Sequence, residues 1–282
     1  MGDCNENGRG EVEKSFLMKR NIILYVCVLF SALNLSAQSN TSIKSIYSQI
    51  VKDSFDIYVT LPASYKTDKT YDIVYYCDAN LKSGKELRRQ VMNGKDILEN
   101  KNLIFVGIGH IGDYHQLRRR DFILPFISDN DTIPKSNDYG HINDFYLFLT
   151  SELDVQIQST YSCSWKRTII GHSLGGLFAI YCLFQNNNFF TNYIALSPAL
   201  WVNNYSIYNF NKISDSLHYK SYLYLSAGSG ETINRILPGA AAMNKFLKEK
   251  KYTNLELKYK VHKGKTHNSQ VPESLKEVLP IL

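Results

Sequence analysis

The sequence lacks the patterns that would mark it for metal, nucleic acid or a bilayer. Five cysteines occur in 282 residues. Cys4 and Cys27 lie in the N-terminal leader, and the remaining Cys77, Cys163 and Cys182 are odd in number and without ligand spacing. That excludes a disulfide framework and a cysteine-ligated metal centre. Cys77 and Cys182 stand in apolar runs, where a thiol acts as a small hydrophobe. Net charge is +6, but Lys and Arg are scattered among acids, and the one dense basic run, Arg118-Arg119-Arg120, is too short for a nucleic-acid footprint. No apolar run reaches the roughly 20 residues that span a bilayer. Internal repeats and signs of a second domain are also missing. What is present, 44% hydrophobic and 21% charged residues, suits a single globular domain. The 20 tyrosines suit a carbohydrate- or aromatic-binding cleft and equally an ordinary surface.

The N-terminus reads as an export signal. Lys19-Arg20 precede an apolar stretch from Ile22 to Leu33, and Leu35-Ser36-Ala37 ends in a small residue suited to cleavage. Met18 would be the natural start of such a peptide, with residues 1–17 an upstream extension. The expected organisation is therefore a leader over residues 1–37 and one domain over 38–282, periplasmic or secreted, with no stable membrane insertion once the signal is removed. An uncleaved signal anchor is the competing reading.

Along the domain, residues 45–62 alternate as a hairpin turning near Lys52-Asp53. YDIVYYCD (71–78), LIFVGIG (103–109), RTIIG (167–171), YIALS (193–197), SYLYLSAG (221–228) and LELKYKVH (255–262) read as strands. Helical spacing is expected over 85–100, 142–161, 174–185, 233–250 and 272–282, and a long loop over 110–140. In 142–161, Phe145, Leu149, Leu153 and Ile157 recur every fourth residue. Strands alternating with helices after an antiparallel start predict an α/β fold of the α/β-hydrolase type, a mostly parallel sheet covered on both faces.

Within that pattern, Gly171-His172-Ser173-Leu174-Gly175 falls between a strand and a helix, the setting of a nucleophile elbow. The pentapeptide alone recurs by chance in roughly one chain of this length in ten, so its flanks carry the weight. A serine hydroxyl needs a base, and imidazole is the usual one near neutral pH. Only His262 and His267 follow the last expected strand; His267, in the polar loop GKTHNSQ, is preferred to His262 at the strand's end. Glu231 is the first carboxylate after SYLYLSAG and the expected acid; Asp215 is its rival, and a helix-terminal residue favoured by the dipole is the bland alternative. Backbone N–H groups of Leu174 and Asn80 are the expected oxyanion donors.

Taken together, YDIVYYCDAN, GHSLGG, ALSPALW, SAGSGE and GKTHNS resemble the Putative esterase family of α/β-hydrolases over roughly residues 45–280. That family includes enterochelin esterases, esterase D, feruloyl esterases and mycolyltransferases, and the last three motifs are most similar to the enterochelin-esterase branch. Ala79 departs from the family's glycine in the oxyanion loop. The resemblance implies Ser173 as nucleophile, His267 as base and Glu231 at the acid position. It also implies a substrate cleft bordered by Trp201, with a core aromatic as the alternative, and Arg120 of the RRRDF segment meeting an anionic substrate, with a solvated basic loop as the alternative; His172 is grouped with these cleft residues. With the export signal, it implies an exported serine esterase without metal or cofactor, acting on a small-molecule or glycan-linked ester, with siderophore, feruloyl-polysaccharide and acetyl-sugar substrates all in its range. An acyltransferase and, from another class, a non-catalytic binding protein on the same scaffold are the alternatives.

Overall fold

The computed structural model describes residues 41–94, 101–125, 139–232 and 235–282, so the leader expected over 1–37 lies outside the described residues. Strands β1 (Thr41–Ser48) and β2 (Asp53–Thr60) form the antiparallel hairpin, with Lys52 at a φ of 62° in its turn. β2 pairs antiparallel with β4 (Leu103–His110), and β4 pairs parallel with β3 (Tyr71–Cys77). From there each pairing is parallel, through β5 (Cys163–His172), β6 (Asn192–Leu196), β7 (Ser216–Gly228) and β8 (Thr253–His262). The eight strands lie in the order β1-β2-β4-β3-β5-β6-β7-β8.

The near-continuous apolar runs of β3 and β4 follow from burial on both faces. Ile73, Tyr75, Ile104, Val106, Ile169 and Leu225 point into one core layer. Their neighbours Val74, Tyr76, Phe105, Ile170 and Tyr224 point into the other. Helices α1 (Lys82–Asn93) and α7 (Val271–Val278) close the second layer with Leu87, Val91, Leu275 and Val278. The first is closed by α5 (Leu174–Gln185), α6 (Ile236–Lys250) and the helical segment 142–160. No helix of the described residues is long and apolar enough to cross a membrane.

Two elements differ from expectation. The polar stretch after β4 is not simply a loop: Tyr114–Phe122 forms helix α2, capped by Asp113, whose side chain accepts from the His115 N–H at 2.9 Å. Two of its arginines, Arg118 and Arg120, are drawn into ion pairs, and Phe122 enters the core. Residues 126–138 of the same stretch lie outside the described residues. Segment 142–160 is α3 (Ile142–Leu147), a π turn (Phe148–Leu153) and α4 (Asp154–Thr160). Apolar residues repeating every fourth position drift off one face of a 3.6-residue helix, and the wider π turn brings Phe145, Leu149, Leu153 and Ile157 back to the core.

Candidate active site

At the carboxyl end of β5 the chain turns through Ser173 into α5. Ser173 has φ 60° and ψ −116°, a conformation that L residues hold only when their surroundings impose it. Here the Ser173 N–H donates to Leu196 O at 3.0 Å, and Ser173 O accepts from Leu177 and Ala199, each at 3.0 Å. The turn is so tight that a Cβ on residue 171 would lie 1.9 Å from Gly175 O, which restricts the position to glycine; one on residue 175 would lie 3.0 Å from Cys77 Cβ. The Ser173 hydroxyl does not cap α5, and Leu174 begins the helix, so its N–H is among the donors without an intrahelical partner.

Two loops further along the sheet, Glu231 and His267 meet. His267 Nδ1 and Glu231 Oε2 are 2.8 Å apart, while Glu231 Oε1 accepts from Ser197 Oγ and the Gly228 N–H, both at 2.7 Å. Burial pushes the Glu231 carboxyl up, but the bonds from His267, Ser197 and Gly228 outweigh it and hold the group below the usual carboxylate range. With Nδ1–H directed at the carboxylate, Nε2 of His267 is left as the acceptor.

His172 ties this loop to the elbow. Its Nε2–H donates to the His267 carbonyl at 2.9 Å, and the two rings lie against each other with centroids 4.4 Å apart and planes tilted by 39°. Burial, then the neighbouring His267, lower the His172 pKa to about 3, so its ring is neutral. Among the described residues Ser173 Oγ and His267 share no direct hydrogen bond, and His172 is the contact that holds the two loops together.

The segment after β3 completes the site. Asp78 has φ 59°, the Ala79 N–H donates to Ile108 O at 3.0 Å, and the Leu81 N–H donates to Asp78 O at 2.9 Å. The Asn80 side chain donates to His110 O at 2.8 Å, which fixes the loop to β4. Beside the base loop, Lys82, Lys85, Arg89, Asn268 and Pro272 border a cleft of about 380 Å³. Among the described residues no cluster of three or more His, Cys, Asp or Glu is placed to hold a metal.

Other expected residues fall elsewhere. Arg120, expected to meet substrate, is engaged with Asp53 at 2.7 Å and Asp121 at 2.7 and 3.0 Å; two carboxylates already occupy its fork. The arginine that reaches the elbow is Arg118. His172, grouped with the cleft residues, is buried beneath the base loop instead. Trp201 is half-buried and packs at the edge of the core, two residues beyond Ala199. His262 bonds Ser274 Oγ at 2.8 Å and Tyr224 Oη at 3.3 Å, in a network beneath α7. Asp215 precedes β7, where its carbonyl accepts from the Thr253 N–H. Sequence reading passed over Ser197 as a partner of the acid; its position at φ 43° directly after β6 is the signal that a turn there serves the site.

The Putative esterase family matches residues 48–271. Over 171 residues, 57% of this chain and 58% of the relative, the sequence is 28% identical to the ferri-bacillibactin esterase BesA of Bacillus subtilis. Over 153 residues, 49% of this chain and 50% of the relative, it is 31% identical to the siderophore enterobactin esterase of Emericella nidulans. The matches thus span between half and three-fifths of these curated relatives. Among solved structures, the BES protein from Bacillus cereus has a TM-score of 0.70 at 27% identity, covering 86% of this chain and 95% of that one. The architecture shared with it is the α/β-hydrolase fold.

Proposed function

The chain belongs to the Putative esterase family, and on that premise we propose that it hydrolyses carboxylic esters of the siderophore class through an acyl-enzyme. The observation that carries this reading is the 2.8 Å contact between His267 Nδ1 and the buried Glu231, on a loop bonded to the residue before Ser173. In this reaction His267 Nε2 takes the proton from Ser173 Oγ as the oxygen attacks the ester carbonyl. The N–H groups of Leu174 and Asn80 receive the developing oxyanion. Collapse of the tetrahedral intermediate breaks the ester C–O bond, and the alkoxide leaves with the proton held by His267. Water then repeats the sequence, releasing the carboxylic acid and restoring Ser173. Glu231 holds the Nδ1–H tautomer and stabilises the imidazolium.

The siderophore class is supported by the two curated relatives, one named for ferri-bacillibactin and the other for enterobactin. Export is part of the proposal and rests on the pattern of residues 18–37; an N-terminus near Gln38 in protein from the native envelope fraction is the expected result. The main test is a panel of esters that includes ferric trilactone siderophores, feruloyl esters and acetylated sugars, with Ser173→Ala as control. Hydrolysis of the trilactones well above the other esters is expected. Hydrolysis that persists in Ser173→Ala overturns the mechanism, and preference for feruloyl or acetyl esters overturns the substrate class.

A further inference from the structure

Arg118 lies on α2, outside the sheet, yet its guanidinium touches both strand ends that carry the candidate oxyanion hole. Nε and Nη2 donate to Asp78 Oδ1 and Oδ2 at 2.7 and 3.0 Å, and Nη2 also reaches the His172 carbonyl at 3.4 Å. Asp78 is 1% exposed and Arg118 15%, so the pair is largely shielded from water. The placement is symmetrical in sequence. Asp78 stands two residues before Asn80, and His172 stands two residues before Leu174. Both segments turn sharply, with Asp78 at φ 59° and Ser173 at φ 60°. Such backbone persists only where tertiary contacts hold it.

We infer that Arg118 is a positioning residue that sets the separation of the Asn80 and Leu174 N–H donors, a role that rests on the acyl-enzyme reading above. The planar fork is what the task requires: two parallel bonds fix the orientation of the Asp78 carboxylate, and the remaining direction of Nη2 is left for the elbow carbonyl. A lysine supplies charge without that geometry. An oxyanion hole stabilises the transition state only when both donors lie near 2.7–3.1 Å from the oxyanion, so a small shift of one loop against the other lowers the rate while leaving ground-state binding intact.

The test uses Arg118→Met and Arg118→Lys on the whole chain, with a neutral short-chain ester that offers Arg118 no charge to bind. Expected is a fall in kcat of about 10²–10³-fold, as for loss of one oxyanion donor, with KM changed by less than about threefold, since the lost stabilisation is confined to the transition state. Affinity for a trifluoromethyl ketone, whose serine adduct needs the hole, falls by a similar factor. Arg118→Lys lies between Met and the wild type. Arg118→Met strands the buried Asp78 charge, so Arg118→Met/Asp78→Asn is made alongside it; this double variant recovers stability and stays slow. Recovery of kcat in the double variant, a rise in KM at constant kcat, or an unchanged kcat each overturns the inference. Fluorophosphonate labelling of Ser173 in the wild type separates the two levels: its absence overturns the acyl-enzyme reading and the inference together, while labelling with unchanged kcat in the variants overturns the inference alone.

Discussion

Two buried arginine–aspartate pairs stand at opposite ends of the parallel sheet. At the amino end Arg167 Nε and Nη2 donate to Asp154 Oδ1 and Oδ2 at 2.9 and 3.2 Å, with exposures of 7% and 3%. Tyr75 Oη adds a third bond to Asp154 at 2.7 Å. At the carboxyl end Arg118 grips Asp78 with the same fork. The backbone around them differs. Arg167 lies inside β5, Asp154 begins α4 and Tyr75 lies inside β3, so that pair joins regular elements. Asp78 has a left-handed φ, and Arg118 also reaches the carbonyl just before Ser173, whose φ is left-handed too. One pair joins helix to sheet; the other joins a helix to two turns held in left-handed backbone. Strain of this kind collects where geometry serves chemistry.

If the two ends divide the work in this way, changes at the carboxyl end alter rate and changes at the amino end alter stability. The largest effect is expected from Ser173→Ala, which removes the proposed nucleophile. Turnover falls on the order of 10⁶-fold, while the urea midpoint stays close to that of the wild type, because no buried bond is lost. Next is Glu231→Gln. Glu231 Oε1 is already held by Ser197 and Gly228, so the amide turns its NH₂ toward His267 Nδ1 and favours the wrong tautomer. A loss of kcat approaching about 10⁴ is expected, still smaller than that of Ser173→Ala; a loss nearer 10-fold in steady-state assays would make Glu231 a minor partner of a Ser–His pair.

Arg167→Met then probes the amino end. It leaves Asp154 buried without its charge partner, which costs about 3–5 kcal/mol in stability. Arg167 precedes His172 by five residues, about 16 Å along the strand at ~3.3 Å per residue, so kcat of the folded fraction stays within about twofold. Urea unfolding and active-site titration measure the two quantities separately. A kcat that falls with stability retained would erase the contrast between the ends.

How much of this was readable beforehand depends on whether the cause is local. The strand–turn–helix at Ser173 is written in a short stretch: apolar TII, the Gly171 and Gly175 spacing, then an apolar helix whose bounds, Leu174–Gln185, are those the pattern predicts. His267 and Glu231 were reachable by order alone, as polar-loop residues after the last two strands, and they lie in hydrogen-bond contact. Arg118 and Arg120 were not separable. They are two residues apart on one helix, and what distinguishes them is a partner 40 residues upstream for one and 67 for the other. The role of His172 was hidden for the same reason, since its partner is a backbone carbonyl 95 residues away. The π turn escaped because four-residue spacing reads as an ordinary helix until a core fixes its direction.

The smallest expected effect sharpens the contrast by titration. The carboxyl end buries a neutral base, His172, with its pKa lowered to about 3 by burial and then by His267. In the unfolded chain a histidine titrates near 6.5. Between those values the unfolded state binds the extra proton, so stability rises with pH and is lost as pH falls below about 6.5, with a slope approaching about 1.4 kcal/mol per pH unit. His262, also lowered chiefly by burial, contributes with the same sign, whereas the lowered Glu231 acts at the more acidic range of carboxylates. The window from pH 6.5 to 5 therefore isolates the histidines. His172→Gln keeps an N–H donor for the His267 carbonyl and cannot titrate. Its stability, from urea unfolding, should fall across that window by about 1–2 kcal/mol less than that of the wild type. Parallel curves would mean that His172 takes up its proton in the folded state, and a neutral ring under the base loop would have to be abandoned.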